Sequence, residues 1–193
     1  MPQKLVLAST SPFRKTLLEK IHLPFLTAKP NVDETPLNGE TAIQLVERLA
    51  IAKAQAICPA YADALVIGSD QVCVNNGEIL GKPGDFENGF KQLKAASGKR
   101  ITFYTGLALI NTKTGNIQSL VEPYVVQFRV LSDTMINHYL EKEQPYNCAG
   151  SFKSEGYGIA LFESFEGKDP NSLVGLPLIS LITMLENEGV AVI

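Results

Sequence analysis

Short apolar runs alternate with amphipathic stretches along this chain, and this alternation restricts its fold more than any other feature. Residues 4–8 (KLVLA) predict a short buried strand, and Ser11 and Pro12 then suit the N-cap and first position of a helix. A second helix is predicted from about residue 41 to 57. A largely apolar run at 64–74 predicts a strand that is buried on both faces and broken by Gly-Ser-Asp. Strands that alternate with helices are typical of the α/β class.

The second half of the chain predicts a long hairpin between helices. Two long strand patterns, at 101–112 and 117–132, flank the turn-rich residues 113–116 (KTGN). Asp85 and Ser132 suit the N-caps of two further helices, residues 157–163 predict a strand, and Pro177 opens a last helix. We therefore predict one domain over residues 1–193: a mixed, elongated β-sheet flanked by helices, in two lobes with a central cleft.

Charge and cysteine usage indicate the kind of protein. The formal net charge is −3 among 193 residues, so the overall field does not favour a nucleic-acid polymer as a partner. The three cysteines are too few for a disulfide framework or a zinc site, which favours a reducing cytoplasm. No stretch reaches the roughly 20 apolar residues that a membrane-spanning helix needs, so we expect a soluble protein with no membrane partner.

The segment LASTSPFRK at residues 7–15 is a candidate phosphate site. The N-terminus of a helix presents free backbone N–H groups and the positive end of its dipole. Ser9 adds a hydroxyl and Arg14 a cation. A capped surface helix with ordinary basic residues is an equally good interpretation of this segment alone.

Five charged side chains could complete such a site. Asp70 follows a buried strand and could hold a divalent cation or orient a water, although an N-cap or turn aspartate is the commoner case. Glu34 lies in a polar loop and could be a second oxygen ligand or simply solvated. Lys53 lies on the apolar face of its helix, so it either extends outward or points at an anion. Lys82, in GKP, is a candidate phosphate contact, and Glu155, between glycines, could accept hydrogen bonds from a ligand or form a simple turn.

The segments LASTSPFR, VDET, RLAIAKA, IGSDQV, GKP, AGSFKSEG and LVGLPL follow one another in this order over essentially the whole chain. Taken together, they resemble the Maf-like nucleotide pyrophosphatases. The resemblance implies hydrolysis of a nucleoside triphosphate to its monophosphate and pyrophosphate with a divalent metal (Mg, Mn or Co). It also implies a fold similar to that of inosine triphosphate pyrophosphatases, and often a homodimer.

Three positions depart from the commonest family pattern. Members that act on dTTP and UTP usually have two arginines in place of Phe13-Arg14, threonine in place of Gln71, and glutamine in place of Glu155. The present combination resembles the subgroup assigned to 7-methyl-GTP, which implies that Phe13, Gln71 and Glu155 contact the substrate. Methylation at N7 makes the guanine cationic, so Phe13 could stack on it, with a contribution of roughly 0.5–2 kcal/mol, and Glu155 could accept from its N–H groups. Phe13 could also belong to the apolar core, because it shares a helix face with Leu17.

We expect water to attack the α-phosphorus, with Asp70 as the general base or as a metal ligand and Glu34 as a second ligand. The remaining groups expected to neutralise the triphosphate are Ser9, Arg14, Lys53 and Lys82. Two alternatives stay open. One is an enzyme for dTTP, UTP or another modified nucleotide. The other is a nucleotide-binding regulator, tied to cell division, that does not turn its ligand over.

Overall fold

The computed structural model describes residues 3–193 and contains a seven-stranded mixed sheet flanked by helices. The strands are β1 (Lys4–Ala8), β2 (Phe25–Ala28), β3 (Ala64–Asn75), β4 (Glu78–Leu80), β5 (Arg100–Asn111), β6 (Ile117–Phe128) and β7 (Phe162–Gly167). The helices are α1 (Pro12–Glu19), α2 (Ala42–Ile57), α3 (Phe86–Ala96), α4 (Asp133–Glu143), α5 (Pro170–Val174) and α6 (Leu178–Asn187). Residues 1 and 2, which begin the predicted domain, lie outside the described residues.

The sheet combines parallel and antiparallel pairs, as predicted. Its order is β2-β1-β3-β5-β6-β7, and β4 pairs with β3 off this path. Strand β1 is parallel to both β2 and β3, whereas β4 is antiparallel to β3 and β7 is antiparallel to β6. The short turn after β5 joins it to its neighbour β6 as the predicted hairpin.

The chain divides into two compact units, in agreement with the expectation of two lobes. The first contains the residues up to Gln71, Thr105–Glu122 and Asp169–Ile193. The second contains Val72–Tyr104 and Pro123–Lys168. Strands β3, β5 and β6 each contribute residues to both units, so no linker separates them in the sequence. The predicted cleft remains a prediction.

The core of the first unit follows the alternation of side chains along β1. Leu5 and Leu7 pack with α1 and α6 in one apolar cluster, and Val6 and Ala8 pack with the end of α2 in another. Glycines let α2 lie directly against the strands. A Cβ atom on Gly68 would stand 2.0 Å from the carbonyl oxygen of Ala50, which no real contact allows.

The core of the second unit is aromatic. Phe103, Phe128, Phe152 and Phe162 pack edge to face, with ring centroids 4.7–5.7 Å apart. These are preferred geometries for aromatic pairs. Helices α3 and α4 belong to this unit, and Asp85 and Ser132 cap them as predicted.

Two sequence-based predictions about local structure are wrong, and three short elements were not predicted. Strand β3 is not broken at Gly-Ser-Asp but continues to Asn75, so Asp70 lies within the strand and not at its end. Residues 157–161 form a 3₁₀ turn and the strand begins only at Phe162. Turn hydrogen bonds from the Gly156 N–H to the Lys153 carbonyl oxygen and from the Ile159 N–H to the Gly156 carbonyl oxygen bend the chain here. Strands β2 and β4 and helix α5 were not predicted, because each is short.

No helix within residues 3–193 has the length and apolar character to cross a membrane.

Candidate active site

Helix α1 begins at the end of β1, and its capping groups are those that the sequence predicts. The Ser11 side chain accepts the N–H of Arg14 at 3.3 Å, and Pro12 occupies the first helical position. Ser9 is buried, and its hydroxyl oxygen accepts the N–H of Ser11 at 3.1 Å. Ser9 therefore shapes the turn into α1, in addition to any contact with a ligand.

Arg14 is anchored at one end of its guanidinium group. Its Nε donates to the carbonyl oxygen of Gly175 at 2.8 Å, and the Ser69 hydroxyl donates to the same oxygen at 2.9 Å. Gly175 has a φ of +115°, which favours glycine, and it directly follows α5. The Arg14 Nη groups make no hydrogen bond to any residue that the structure describes, so they are available to an anion.

Lys53 bridges two carboxylates. Its ammonium lies 2.6 Å from Oδ1 of Asp70 and 2.8 Å from Oε1 of Glu34. Lys53 and Asp70 are both buried, at 6% and 7% exposure, whereas the Glu34 side chain is 60% exposed. Of the two interpretations of Lys53, the structure supports the one in which it points at an anion, and here the anions are the protein's own carboxylates.

The carboxylates of Asp70 and Glu34 also affect the pKa of Arg14. Desolvation lowers the pKa of the Arg14 guanidinium, and the negative charges of Asp70 and Glu34 oppose that shift. An arginine keeps its proton under such conditions. The first unit therefore brings together two cations and two carboxylates, all of them predicted site residues.

The donor set of this group fits a divalent cation that is shared with a phosphate ligand. Carboxylate oxygens are the ligands that Mg²⁺ prefers, and it is usually bound by one or two of them together with substrate phosphates. Oδ2 of Asp70 and Oε2 of Glu34 make no hydrogen bond with the described part of the chain. Within that part, no three or more His, Cys, Asp or Glu side chains form a metal-binding group, so a closed protein cage is not present there.

Gln71 uses its amide nitrogen inside the first unit. Nε2 is 2.9 Å from Oγ1 of Thr105, 2.7 Å from the carbonyl oxygen of Ser172 and 3.1 Å from that of Leu173. These contacts hold α5 in place just before Gly175. A substrate contact by Gln71 is therefore left to its carbonyl oxygen, and that role remains a prediction.

The residues expected to recognise the base are exposed. Phe13 is 37% exposed, whereas Leu17 on the same helix is buried, so the alternative of a core role for Phe13 is wrong. Lys82 and Glu155 belong to the second unit and are exposed. Both influence the charge environment of Cys148, whose pKa is raised mainly by desolvation. Their roles toward a substrate remain predictions.

Sequence reasoning missed four residues that support this site. Ser69 and Gly175 anchor Arg14, as described above. Arg48 forms an ion pair with Glu40, with Nε and Oε1 2.5 Å apart. Arg48 and Gly175 lie in the segments RLAIAKA and LVGLPL, but a segment does not reveal which partner a side chain finds in the fold.

Comparison with known proteins gives close relatives over the full length. Residues 4–188 match the family model described as Maf-like protein. The chain is 59% identical over 190 residues to the 7-methyl-GTP pyrophosphatase of Vibrio vulnificus (strain CMCP6), covering 98% of this chain and 97% of the relative. It is 58% identical over 189 residues to the protein of the same name from Colwellia psychrerythraea (strain 34H / ATCC BAA-681), covering 98% and 94%.

One solved structure supports the fold. The Staphylococcus aureus Ham1 protein superposes with a TM-score of 0.58 at 15% identity, covering 96% of this chain and all of that one. At this identity the likeness concerns the fold alone, and it confirms the predicted α/β class.

Proposed function

The chain belongs to the Maf family, and we propose that it hydrolyses 7-methyl-GTP to 7-methyl-GMP and pyrophosphate. The observation that carries this proposal is the buried Lys53 that bridges Asp70 and Glu34 beside Arg14. Such a group offers cations for a triphosphate and carboxylates for a metal or a water. Relatives named for this activity, at 58–59% identity over almost the whole chain, support the choice of substrate.

In the proposed mechanism, water attacks the α-phosphorus and pyrophosphate leaves. Asp70 either takes the proton from the attacking water or acts as a metal ligand. Lys53 orients both carboxylates, and the free Nη groups of Arg14 neutralise charge on the phosphate oxygens as the leaving oxygen becomes negative. We propose the same role for Ser9 and Lys82. A divalent cation (Mg, Mn or Co), held by Asp70 and Glu34, would supply further neutralisation of phosphate charge.

Selection of the methylated base is assigned to Phe13 and Glu155. The exposed ring of Phe13 in the first turn of α1 supports stacking on a cationic guanine. Glu155 is exposed, and within residues 3–193 it accepts a single weak hydrogen bond, 3.3 Å long, from Ser154, so its carboxylate can accept from a ligand. We also infer a cytoplasmic location, supported by three free cysteines, and we retain the homodimer as a prediction.

The test is pyrophosphate release from 7-methyl-GTP, GTP, dTTP, UTP and CTP, each with Mg²⁺, Mn²⁺, Co²⁺ or EDTA. We expect a strong preference for 7-methyl-GTP and no activity in EDTA. Asp70→Asn should lower kcat by about 100-fold or more, because it loses either a general base or a metal ligand. Asp63→Asn is the matched control, since Asp63 is an exposed aspartate just before β3, and it should leave the rate unchanged.

The outcomes separate the candidate functions. Activity on dTTP or UTP with none on 7-methyl-GTP would retain the family chemistry and reject the proposed substrate. Tight binding of a triphosphate with no pyrophosphate release would favour the nucleotide-binding regulator. Full activity of a folded Asp70→Asn variant would reject the proposed mechanism.

A further inference from the structure

The loop between β2 and α2 carries Glu34, and most of it faces solvent. All seven residues from 33 to 39 are exposed. A segment with so few buried apolar contacts opens easily unless polar contacts fix it. The ion pair of Glu34 with Lys53 is one such contact, but the Glu34 side chain is 60% exposed, and exposed pairs contribute little.

A second pair of charges closes the loop against α2. Arg48, on α2, donates from Nε to Oε1 of Glu40 at 2.5 Å and from Nη2 to Oε2 at 2.8 Å. The Glu40 side chain is only 7% exposed. Two parallel hydrogen bonds between a guanidinium and a carboxylate are the strongest and most directional form of this pairing. We call these two residues the Arg48–Glu40 clamp.

The clamp also contacts the loop backbone on both sides of Pro36. Nη2 of Arg48 donates to the carbonyl oxygen of Thr35 at 3.2 Å, and Oε2 of Glu40 accepts the N–H of Leu37 at 2.9 Å. Thr35 directly follows Glu34. The backbone next to Glu34 is therefore fixed to the same helix that carries Lys53.

We propose that the Arg48–Glu40 clamp positions Glu34 for the reaction by holding loop 33–40 on α2. Arg48 and Glu40 are positioning residues, because they act through Glu34 and the loop backbone. The inference rests on the proposed function, which gives the Glu34 carboxylate its role beside Lys53 and Asp70.

The first measurement is hydrogen exchange of loop 33–40 in the full chain without substrate or metal. Arg48→Lys keeps the charge but cannot form the paired hydrogen bonds, and Glu40→Gln removes the carboxylate. Both should speed exchange of the Leu37 amide by about tenfold. Lys91→Gln is the matched control. It breaks an exposed ion pair with Glu87 on α3 and should leave the loop unchanged.

The second measurement is kinetic, with pyrophosphate release in the presence of Mn²⁺. Arg48→Lys should lower kcat by about 10-fold or more and change KM for the triphosphate less, as is typical when a group that supports a ligand is altered. In a Glu34→Gln background the same change should have little further effect, because the carboxylate that it positions is gone. If Arg48 contributed to stability alone, Arg48→Lys would lower kcat by the same factor in the unmodified protein and in the Glu34→Gln variant.

The results either support or overturn the proposed positioning role of the Arg48–Glu40 clamp. Faster loop exchange together with a loss of kcat that disappears in the Glu34→Gln background supports it. Unchanged exchange in both clamp variants overturns it, and so does an additive effect of Arg48→Lys and Glu34→Gln on kcat. An unmodified protein that hydrolyses no triphosphate would overturn the proposed function, and the kinetic role of the clamp with it. An active protein with an unaffected Arg48→Lys variant would overturn the clamp alone.

Discussion

Replacement of Gly68 by alanine tests the closest packing in the first unit. A Cβ atom there would meet the Ala50 carbonyl oxygen at 2.0 Å, the Ala54 amide nitrogen at 2.9 Å and the Ala54 Cβ at 3.0 Å. Carbon and oxygen normally stay about 3.3 Å or more apart, so α2 and β3 must separate by more than an ångström. The contact is with helix backbone, which cannot turn aside as a flexible side chain would.

The expected cost follows from these contacts. Overpacking a core costs typically about 1–3 kcal/mol, and a contact with backbone belongs at the upper end of that range. Alanine also lowers the conformational entropy of the unfolded chain, and this stabilises the folded protein by about 0.4–1 kcal/mol. We therefore expect Gly68→Ala to lower the free energy of unfolding by about 2 kcal/mol. For a chain of this size that corresponds to a fall in Tm of about 4–8 °C.

The same displacement should reduce activity. Lys53 lies one helical turn beyond Ala50, and its ammonium is 2.6 Å from Asp70, two residues after Gly68 on β3. Misplacement of a catalytic group by about 1 Å can cost 100-fold in rate. Pyrophosphate release should be measured well below the Tm of the variant, so that the loss reflects geometry and not unfolding.

Gly81→Ala is the matched control for stability. No atom lies within 4 Å of a Cβ atom at that position, and its φ is not in the left-handed region. Urea unfolding, monitored by circular dichroism, should show an unchanged free energy of unfolding for Gly81→Ala and a clearly lower one for Gly68→Ala. Equal stability of the two variants, with normal activity of the Gly68 variant, would refute the close approach of α2 to β3.

Three further predictions concern charged and aromatic side chains. Lys53→Met should destabilise the protein by about 3 kcal/mol, because it leaves the buried Asp70 carboxylate without its ion-pair partner, whereas Asp70→Asn should cost less, because Lys53 keeps its contact with Glu34. In urea unfolding the cost of Lys53→Met should fall by about 2 kcal/mol in the Asp70→Asn background, and additive effects would contradict the ion pair. Hydrogen bonds from its guanidinium partner lower the pKa of Glu40 to about 2, so this pair stabilises the protein above about pH 4.5, and its contribution is lost as the pH falls toward 2. Glu40→Gln should therefore flatten the acid-side loss of stability, and parallel curves would contradict this. Phe13→Arg with Glu155→Gln should raise KM for 7-methyl-GTP about tenfold relative to GTP, and an unchanged preference would rule out the base-recognition model.

Several local features were predictable because neighbouring residues determine them. Ser11 with Pro12 starts α1, and Thr41 with Gln44 forms a capping box at the start of α2. The turn residues 113–116 mark the β5–β6 hairpin. In each case the interacting groups lie within a few residues of each other, so the sequence pattern and the structure carry the same information.

Element boundaries were less predictable where a distant contact decides them. The Gly-Ser-Asp segment resembles a break in a strand, yet Gly68 is there because α2 lies against it, and β3 continues through Asp70. The later start of β7 depends on the tight turn at Gly158. A glycine has the same appearance in a sequence whether it ends a strand or admits a neighbouring helix.

The sequence by itself determined the α/β class, the caps and the hairpin, and a set of charged residues suited to a triphosphate. It left open whether Lys53 reaches solvent or an anion and whether Phe13 belongs to the core. Only the tertiary structure decided these points, because the partners of a side chain come from segments far apart in the chain. Asp70 is distant from Glu34 in sequence, and Gly175 is more distant still from Arg14. Their contacts exist only after the strands and helices that carry them have packed together.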